Sequence, residues 1–107
     1  MDRVAFRLQL KLESLDEYVK IHEGVWPEMR EALSATGWHN YSLFLDRTDG
    51  SLFGYCETED FDLARSKMAD LEVNKRWQKL MRSYFESLDG QNPDEGFMRL
   101  EQVFYLN

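Results

Sequence analysis

Val4, Phe6, Leu8, Leu10 and Leu12 alternate with Arg3, Ala5, Arg7, Gln9 and Lys11 at the start of the chain. This period of two predicts a strand with one apolar face. The pattern then turns helical. Ser14-Leu15-Asp16-Glu17 has the form of a capping box, in which Ser14 and Glu17 satisfy each other's free amides, and it predicts a helix from about residue 15. Wound as a helix, the segment puts Leu15, Tyr18, Val19 and Trp26 on one face, with His22 at its centre. Pro27 lacks an amide donor and clashes with the preceding turn, so a break is expected near Gly24 to Trp26. Pro27 then opens a second helical segment, PEMREALSAT, which Gly37 stops.

WHNYSLFLD reads as a second strand, RTDG as a hairpin turn by its Asp49-Gly50, and SLFGYCETE as the returning strand. Tyr41, Leu43 and Leu45 are expected on one side, Trp38 and Phe44 on the other. A sheet with one solvated face alternates more cleanly, so something is expected to cover the second face. Residues 61–70 predict a short helix. Residues 72–88 predict a longer one, with Val73, Trp77, Leu80, Tyr84 and Leu88 along a stripe. DGQNPDEG, residues 89–96, is a loop by composition, and MRLEQVFYL predicts a closing strand. The order β-α-β-β-α-β is that of a ferredoxin-like α+β domain, an antiparallel sheet with helices on one face, spanning residues 1–107 as a single domain. The remaining sheet face predicts a partner, and a two-fold homodimer is the commonest solution.

Charge narrows the functions. Thirteen basic residues face twenty acidic ones in the 107-residue chain, for a net charge of −7, and no basic run exists. Nucleic-acid binding needs a cationic footprint and is disfavoured. No apolar run approaches the roughly 20 residues that cross a bilayer, so no membrane partner is expected. The opening MDRVAFRLQL has neither a basic region ahead of an apolar block nor an amphipathic Arg-rich pattern, which predicts a cytoplasmic protein. The single cysteine, Cys56, cannot form an internal disulfide and reads as a small buried hydrophobe.

Most catalytic motifs fail. HEGVW begins like a zinc-protease motif, but Trp26 stands where H-E-x-x-H needs its second histidine. His39 is the only other histidine, so no metal is expected. No glycine-rich loop is placed to cradle a phosphate, no serine sits in a nucleophile elbow, and no cofactor motif is visible. What remains is a set of polar-tipped aromatics around His22: Tyr18 one turn earlier, Tyr41 in mid-strand beside Asn40, and Trp77. A sugar site uses such parts, flat aromatic surface for C–H faces and donors and acceptors for hydroxyls. Yet buried tyrosine and tryptophan are core residues more often than ligand contacts, and a lone histidine on an apolar stripe is more often a hydrogen-bonded core residue. Composition and spacing alone stop at an α+β domain with a cavity.

At these residues the sequence resembles the L-rhamnose mutarotase family. Tyr18, His22, Trp26-Pro27-Glu28, His39-Asn40-Tyr41-Ser42, Leu45-Asp46, Leu52-Phe53, Arg76-Trp77 and the ending LEQVFYL stand in family order and near family spacing over nearly the whole chain. The resemblance implies a ferredoxin-like fold paired into a dimeric α+β barrel. It implies a cofactor-free enzyme that interconverts the α and β anomers of L-rhamnose, a 6-deoxyhexose. It implies His22 as the proton donor, with Tyr18, Tyr41 and Trp77 contacting the sugar. In the family pattern two tryptophans stand side by side; here Gln78 follows Trp77. The helical period sends the two about a hundred degrees apart, with Gln78 off the apolar stripe. Gln78 is thus a candidate hydroxyl contact or a solvent-facing residue, and L-fucose or another 6-deoxy sugar stands as an alternative substrate.

Ring opening delivers one proton to the ring oxygen and removes one from the anomeric hydroxyl, and an unperturbed imidazole with a pKa of about 6.5 suits both transfers. The strand alternation sends Asn40 and Tyr41 to opposite faces unless a bulge re-aims one. Two other classes remain open: a cofactor-independent monooxygenase, by fold analogy alone, and a sugar-binding module without turnover.

Overall fold

The computed structural model describes residues 1–86, 93, 96 and 98–107; Leu88 and most of the 89–96 loop lie outside the described residues. Among the described residues, four strands, β1 (Asp2–Gln9), β2 (His39–Asp46), β3 (Ser51–Thr58) and β4 (Met98–Leu100), form one antiparallel sheet in the order β2-β3-β1-β4. Four helices among the same residues, α1 (Leu15–His22), α2 (Pro27–Ala35), α3 (Phe61–Ala69) and α4 (Glu72–Met81), complete the α+β fold. This is the ferredoxin-like order that the hydrophobic pattern predicts.

Strand register explains which face the helices cover. Val4 pairs with Cys56, Phe6 with Gly54 and Leu8 with Leu52, so these side chains share one side of the sheet. Leu43 and Leu45 of β2 extend the same side through their pairing with Gly54 and Leu52. Val4, Phe6, Leu52 and Cys56 are buried in one cluster with Leu15, Tyr18, Met29, Phe61, Met68, Trp77 and Met81 from the helices. On the opposite side, Phe44 pairs with Phe53, Phe53 with Arg7, and Arg7 with Met98. Phe44 and Met98 are 61% and 62% exposed. That apolar row is the uncovered second face.

Several local expectations change. Ser14 closes a 3-10 turn at Leu12–Ser14 and makes no side-chain cap bond. Its intended partner, Glu17, instead accepts a hydrogen bond from the Tyr84 hydroxyl at 3.1 Å. The 3-10 turn ends β1's alternation early and leaves Leu12 exposed. The break before Pro27 forms as expected, with α1 ending at His22 and Pro27 in the first turn of α2. Gly37, at φ +99°, ends α2 in a Schellman arrangement, with the amides of Gly37 and Trp38 donating to the carbonyls of Ser34 and Leu33. Trp38 then turns into the core against Phe61 and Tyr41, not onto the open face. The predicted closing strand is reduced to Met98–Leu100, and residues 101–107 carry Val103, Phe104 and Leu106 exposed.

α4 is shorter and turned relative to its apolar stripe. The helix stops at Met81, a 3-10 turn follows at Arg82–Tyr84, and the buried face is Asn74, Trp77, Gln78 and Met81, while Leu80 is 40% exposed. The stripe takes in Val73 and Leu80 because they are apolar. The fold selects a sector centred on Trp77, where two amides are buried instead.

Gly54 is the close approach on which the core rests. A Cβ there would overlap the Phe6 ring, which lies across the sheet between the rings of Tyr41 and Phe61, at centroid distances of 6.2 and 6.1 Å. Gly54→Ala is expected to destabilise the protein by about 1–3 kcal/mol through overpacking, read as a lower urea midpoint at unchanged slope.

Candidate active site

A cavity of about 520 Å³ opens between the helix layer and the covered face of the sheet. Phe6, Leu8 and Leu43 line it from the sheet, and His22, Met29 and Trp77 from the helices. All five sequence-predicted residues, Tyr18, His22, Tyr41, Trp77 and Gln78, line this one space.

His22 is the last residue of α1, half-buried. Its ring lies against Tyr18, centroids 4.1 Å apart, and meets the Trp77 ring edge-on at 5.5 Å. Helical spacing produces the first contact, since residues four apart share a face. The second comes from packing α4 against this end of α1. Trp77 is fixed from its other side by Trp26, edge-on at 5.0 Å. Such aromatic pairs contribute about 0.5–1.5 kcal/mol each beyond their burial. An exposed Glu28–Arg76 ion pair of 3.3 Å ties α2 to α4 beside them, a contact worth roughly 0–1 kcal/mol in solvent.

The imidazole has a defined tautomer. His22 Nδ1 lies 2.8 Å from the Tyr18 carbonyl oxygen, which only accepts, so Nδ1 carries the hydrogen. Nε2 is left with the lone pair that can take up a proton. Burial lowers the His22 pKa below its ordinary 6.5, and the backbone hydrogen bond offsets part of that fall. At neutral pH the ring is therefore mostly neutral, with a basic Nε2. Tyr18 moves the other way: burial, and then the nearby Tyr41, raise its pKa far above the ordinary tyrosine value. Its phenol keeps its proton and remains a hydrogen-bond donor.

Tyr41 reaches the cavity across a β-bulge. Asn40 adopts φ 48° and the β2–β3 register shifts between His39 and Ser42. The bulge breaks the alternation that would send Asn40 and Tyr41 to opposite faces, and both line the cavity. Asn40 donates to Glu57 Oε1 at 3.2 Å, and Tyr41 packs on Trp38 with ring centroids 5.1 Å apart.

Gln78 stays a candidate hydroxyl contact, but its expected place off the buried stripe is corrected. It is 7% exposed, on the buried face of α4 beside Trp77, and its Nε2 donates to Asn74 Oδ1 at 3.1 Å. Asn74 lines the cavity too, as do Arg30 and Ser34 of α2. None of these three stands out from composition or hydropathy. The available signal was the i, i+4 spacing of Asn74 to Gln78 around Trp77, and of Arg30 to Ser34. Cys56 is buried under the sheet's covered face with its pKa pushed up to about 11 by burial, so it stays a thiol at neutral pH. Among the described residues no cluster of three or more His, Cys, Asp or Glu is placed to hold a metal ion.

Comparison with known proteins points one way. A family profile described as L-rhamnose mutarotase matches residues 3–106. A protein of Bacillus subtilis named L-rhamnose mutarotase is 42% identical over 107 residues, covering all of both chains. One of Listeria monocytogenes with the same name is 41% identical over 106 residues, 99% of each chain. The crystal structure of an L-rhamnose mutarotase from Formosa agariphila superposes with a TM-score of 0.82 at 28% identity, covering both chains fully. An antibiotic biosynthesis monooxygenase superposes at 0.60 with 17% identity, over 94% of this chain and 97% of that one, a likeness of fold alone.

The His22 tautomer and titration are directly measurable. Long-range ¹H–¹⁵N correlation spectra are expected to show the hydrogen on Nδ1 above pH 7 and a midpoint below 6.5; an Nε2–H tautomer or a midpoint above 7 would contradict this geometry.

Proposed function

The chain belongs to the L-rhamnose mutarotase family, and from that premise we propose that it interconverts the α and β anomers of L-rhamnose with His22 as the acid–base residue. The activity makes it an isomerase acting on a carbohydrate. The observation that carries the mechanistic reading is the fixed Nδ1–H tautomer, which reserves Nε2 for proton exchange at the cavity.

Ring opening breaks the bond between the anomeric carbon and the ring oxygen. The anomeric hydroxyl loses a proton as the carbonyl forms, and the ring oxygen gains one as it leaves. Both oxygens are bonded to the same carbon, so one nitrogen can serve them in turn. Neutral His22 takes the anomeric proton at Nε2 and returns it, as imidazolium, to the ring oxygen. The open aldehyde rotates about its bond to C2, and closure on the other face reverses the transfers. Positioned acid–base catalysis supplies about 10²–10⁴-fold, enough for a reaction that already runs in water. The protonated Tyr18 phenol and Tyr41 hold sugar hydroxyls in this scheme, Trp77 offers a flat face to the methyl or C–H surface, and Gln78 contacts a hydroxyl. No metal or cofactor enters the scheme.

The family profile and relatives of the same name favour L-rhamnose over L-fucose. The monooxygenase alternative has fold likeness only. Relatives named as mutarotases over the whole chain disfavour a binding module without turnover.

The second sheet face supports a homodimer. Phe44, Phe53, Met98 and Leu100 form an exposed apolar surface on a short four-stranded sheet, and the same residues stacked across a two-fold axis would bury it. The buried cluster supports reading residues 1–107 as one functional domain, paired with a second copy. A single buried thiol suits the reducing cytoplasm, where we place the enzyme. No helix among the described residues is long and apolar enough to cross a membrane.

His22→Ala should abolish the acceleration with which freshly dissolved α-L-rhamnose approaches its equilibrium rotation, while leaving the thermal transition in place; full acceleration by that variant would sink the assignment. In the wild type the required form is neutral imidazole, so kcat/KM should be flat at pH 7 and fall as pH drops through the lowered His22 pKa, below 6.5. For the dimer, sedimentation equilibrium should return twice the chain mass of 12.8 kDa, and Phe44→Asp should shift it toward one.

A further inference from the structure

The buried face of α4 carries two amides beside Trp77. Asn74 and Gln78 are 3% and 7% exposed, one turn apart on either side of Trp77, and joined by the 3.1 Å bond from Gln78 Nε2 to Asn74 Oδ1. Both line the cavity. Leucine or methionine at either position would occupy similar volume and bring no polar group to desolvate. The neighbouring wall already follows that rule: Val25, Met81 and Phe85 are apolar and line the same space. Apolar and aromatic walls grip a sugar's C–H surface but discriminate weakly among hydroxyl patterns. An amide in the wall discriminates strongly, because a ligand without the matching hydroxyl loses a hydrogen bond in a poorly solvated place.

We infer that Asn74 and Gln78 act as a pair that reads one ring hydroxyl of the sugar, Gln78 making the contact and Asn74 positioning its amide. The inference rests on the mutarotase reading and deepens it. It makes the ligand class a pyranose with a free hydroxyl at the ring position facing α4, and it assigns α4, not the His22 helix, as the element that sets sugar selectivity. Asn74 is a positioning residue: its acceptor oxygen fixes which way the Gln78 amide is turned.

The test is a cycle between side chain and hydroxyl. Wild type, Gln78→Met and Asn74→Leu are each assayed for anomer exchange on L-rhamnose and on its 2-, 3- and 4-deoxy analogues. Wild type should lose on the order of 10²-fold or more in kcat/KM on one analogue. Gln78→Met should handle that analogue and L-rhamnose within roughly threefold of each other while the penalties at the other two positions stay as they were, since only coupled groups are non-additive. Asn74→Leu should show the same collapse, chiefly in KM, and Asn74→Asp, which keeps the acceptor oxygen, should restore selectivity. Equal losses on all four sugars, or no collapse at any position, would overturn the pair's role. Should Gln78→Met fail to fold, Gln78→Glu carries the cycle with the acceptor kept and the donor removed. Absence of wild-type exchange on L-rhamnose would remove the mutarotase reading separately. The cycle then runs on dissociation constants from sugar-observed NMR, where the same collapse supports the pair, and its absence, or absence of binding, overturns it.

Discussion

The 2.8 Å hydrogen bond from His22 Nδ1 to the Tyr18 carbonyl constrains everything that the site can do. It is a local bond, made possible because the two residues are one helical turn apart. It chooses the tautomer, leaves Nε2 for chemistry, and orients the ring between Tyr18 and Trp77. Burial and this bond oppose each other in the His22 pKa, with burial the larger. The result is a weakly basic nitrogen near neutrality, which suits the proposed transfer and return of one proton.

The rest of the fold keeps that ring in place and the space beside it open. Pro27 ends the first helical segment soon after His22, so the imidazole sits at a helix end. Trp26 and Trp77 support one another at the α2–α4 contact, and Trp77 in turn closes one side of the imidazole. Gly54 lets Phe6 lie flat on the sheet, where it forms the cavity floor beneath Tyr41. The bulge at Asn40 brings a strand residue to the same space. Local rules thus converge on one cavity from a sheet, a bulge and four helices.

The elements were legible because each obeys a strong local rule. Alternation marked β1, Pro27 marked the helix break, Gly37 the helix stop, and Asp49-Gly50 the hairpin. Gly50 takes the positive φ of 79° that such a turn needs, in the four-residue loop RTDG that the pattern predicts. His22, Tyr18, Tyr41 and Trp77 were singled out, but only the family resemblance gave them a joint role. Spacing treats a buried histidine and a catalytic one alike. Facing was read least well. Gln78 was put off the stripe and Leu80 on it, because an apolar stripe records hydrophobicity and α4 turns a partly polar sector inward. Asn40 defeated simple alternation because a bulge is decided by pairing across strands. The Ser14–Glu17 box failed because Tyr84, far along the chain, offers Glu17 a partner that the local sequence does not contain.

On the proposed mechanism, a neutral, tautomer-fixed imidazole beside an aromatic-walled cavity exchanges protons with both oxygens of a sugar's anomeric carbon. Saturation transfer between the two anomeric proton signals of equilibrated L-rhamnose at pH 7 tests it most directly. Adding protein is expected to make saturation of one signal deplete the other, with the anomer ratio unchanged. Sugar binding visible in the line widths, without any transfer between the two signals, would contradict it.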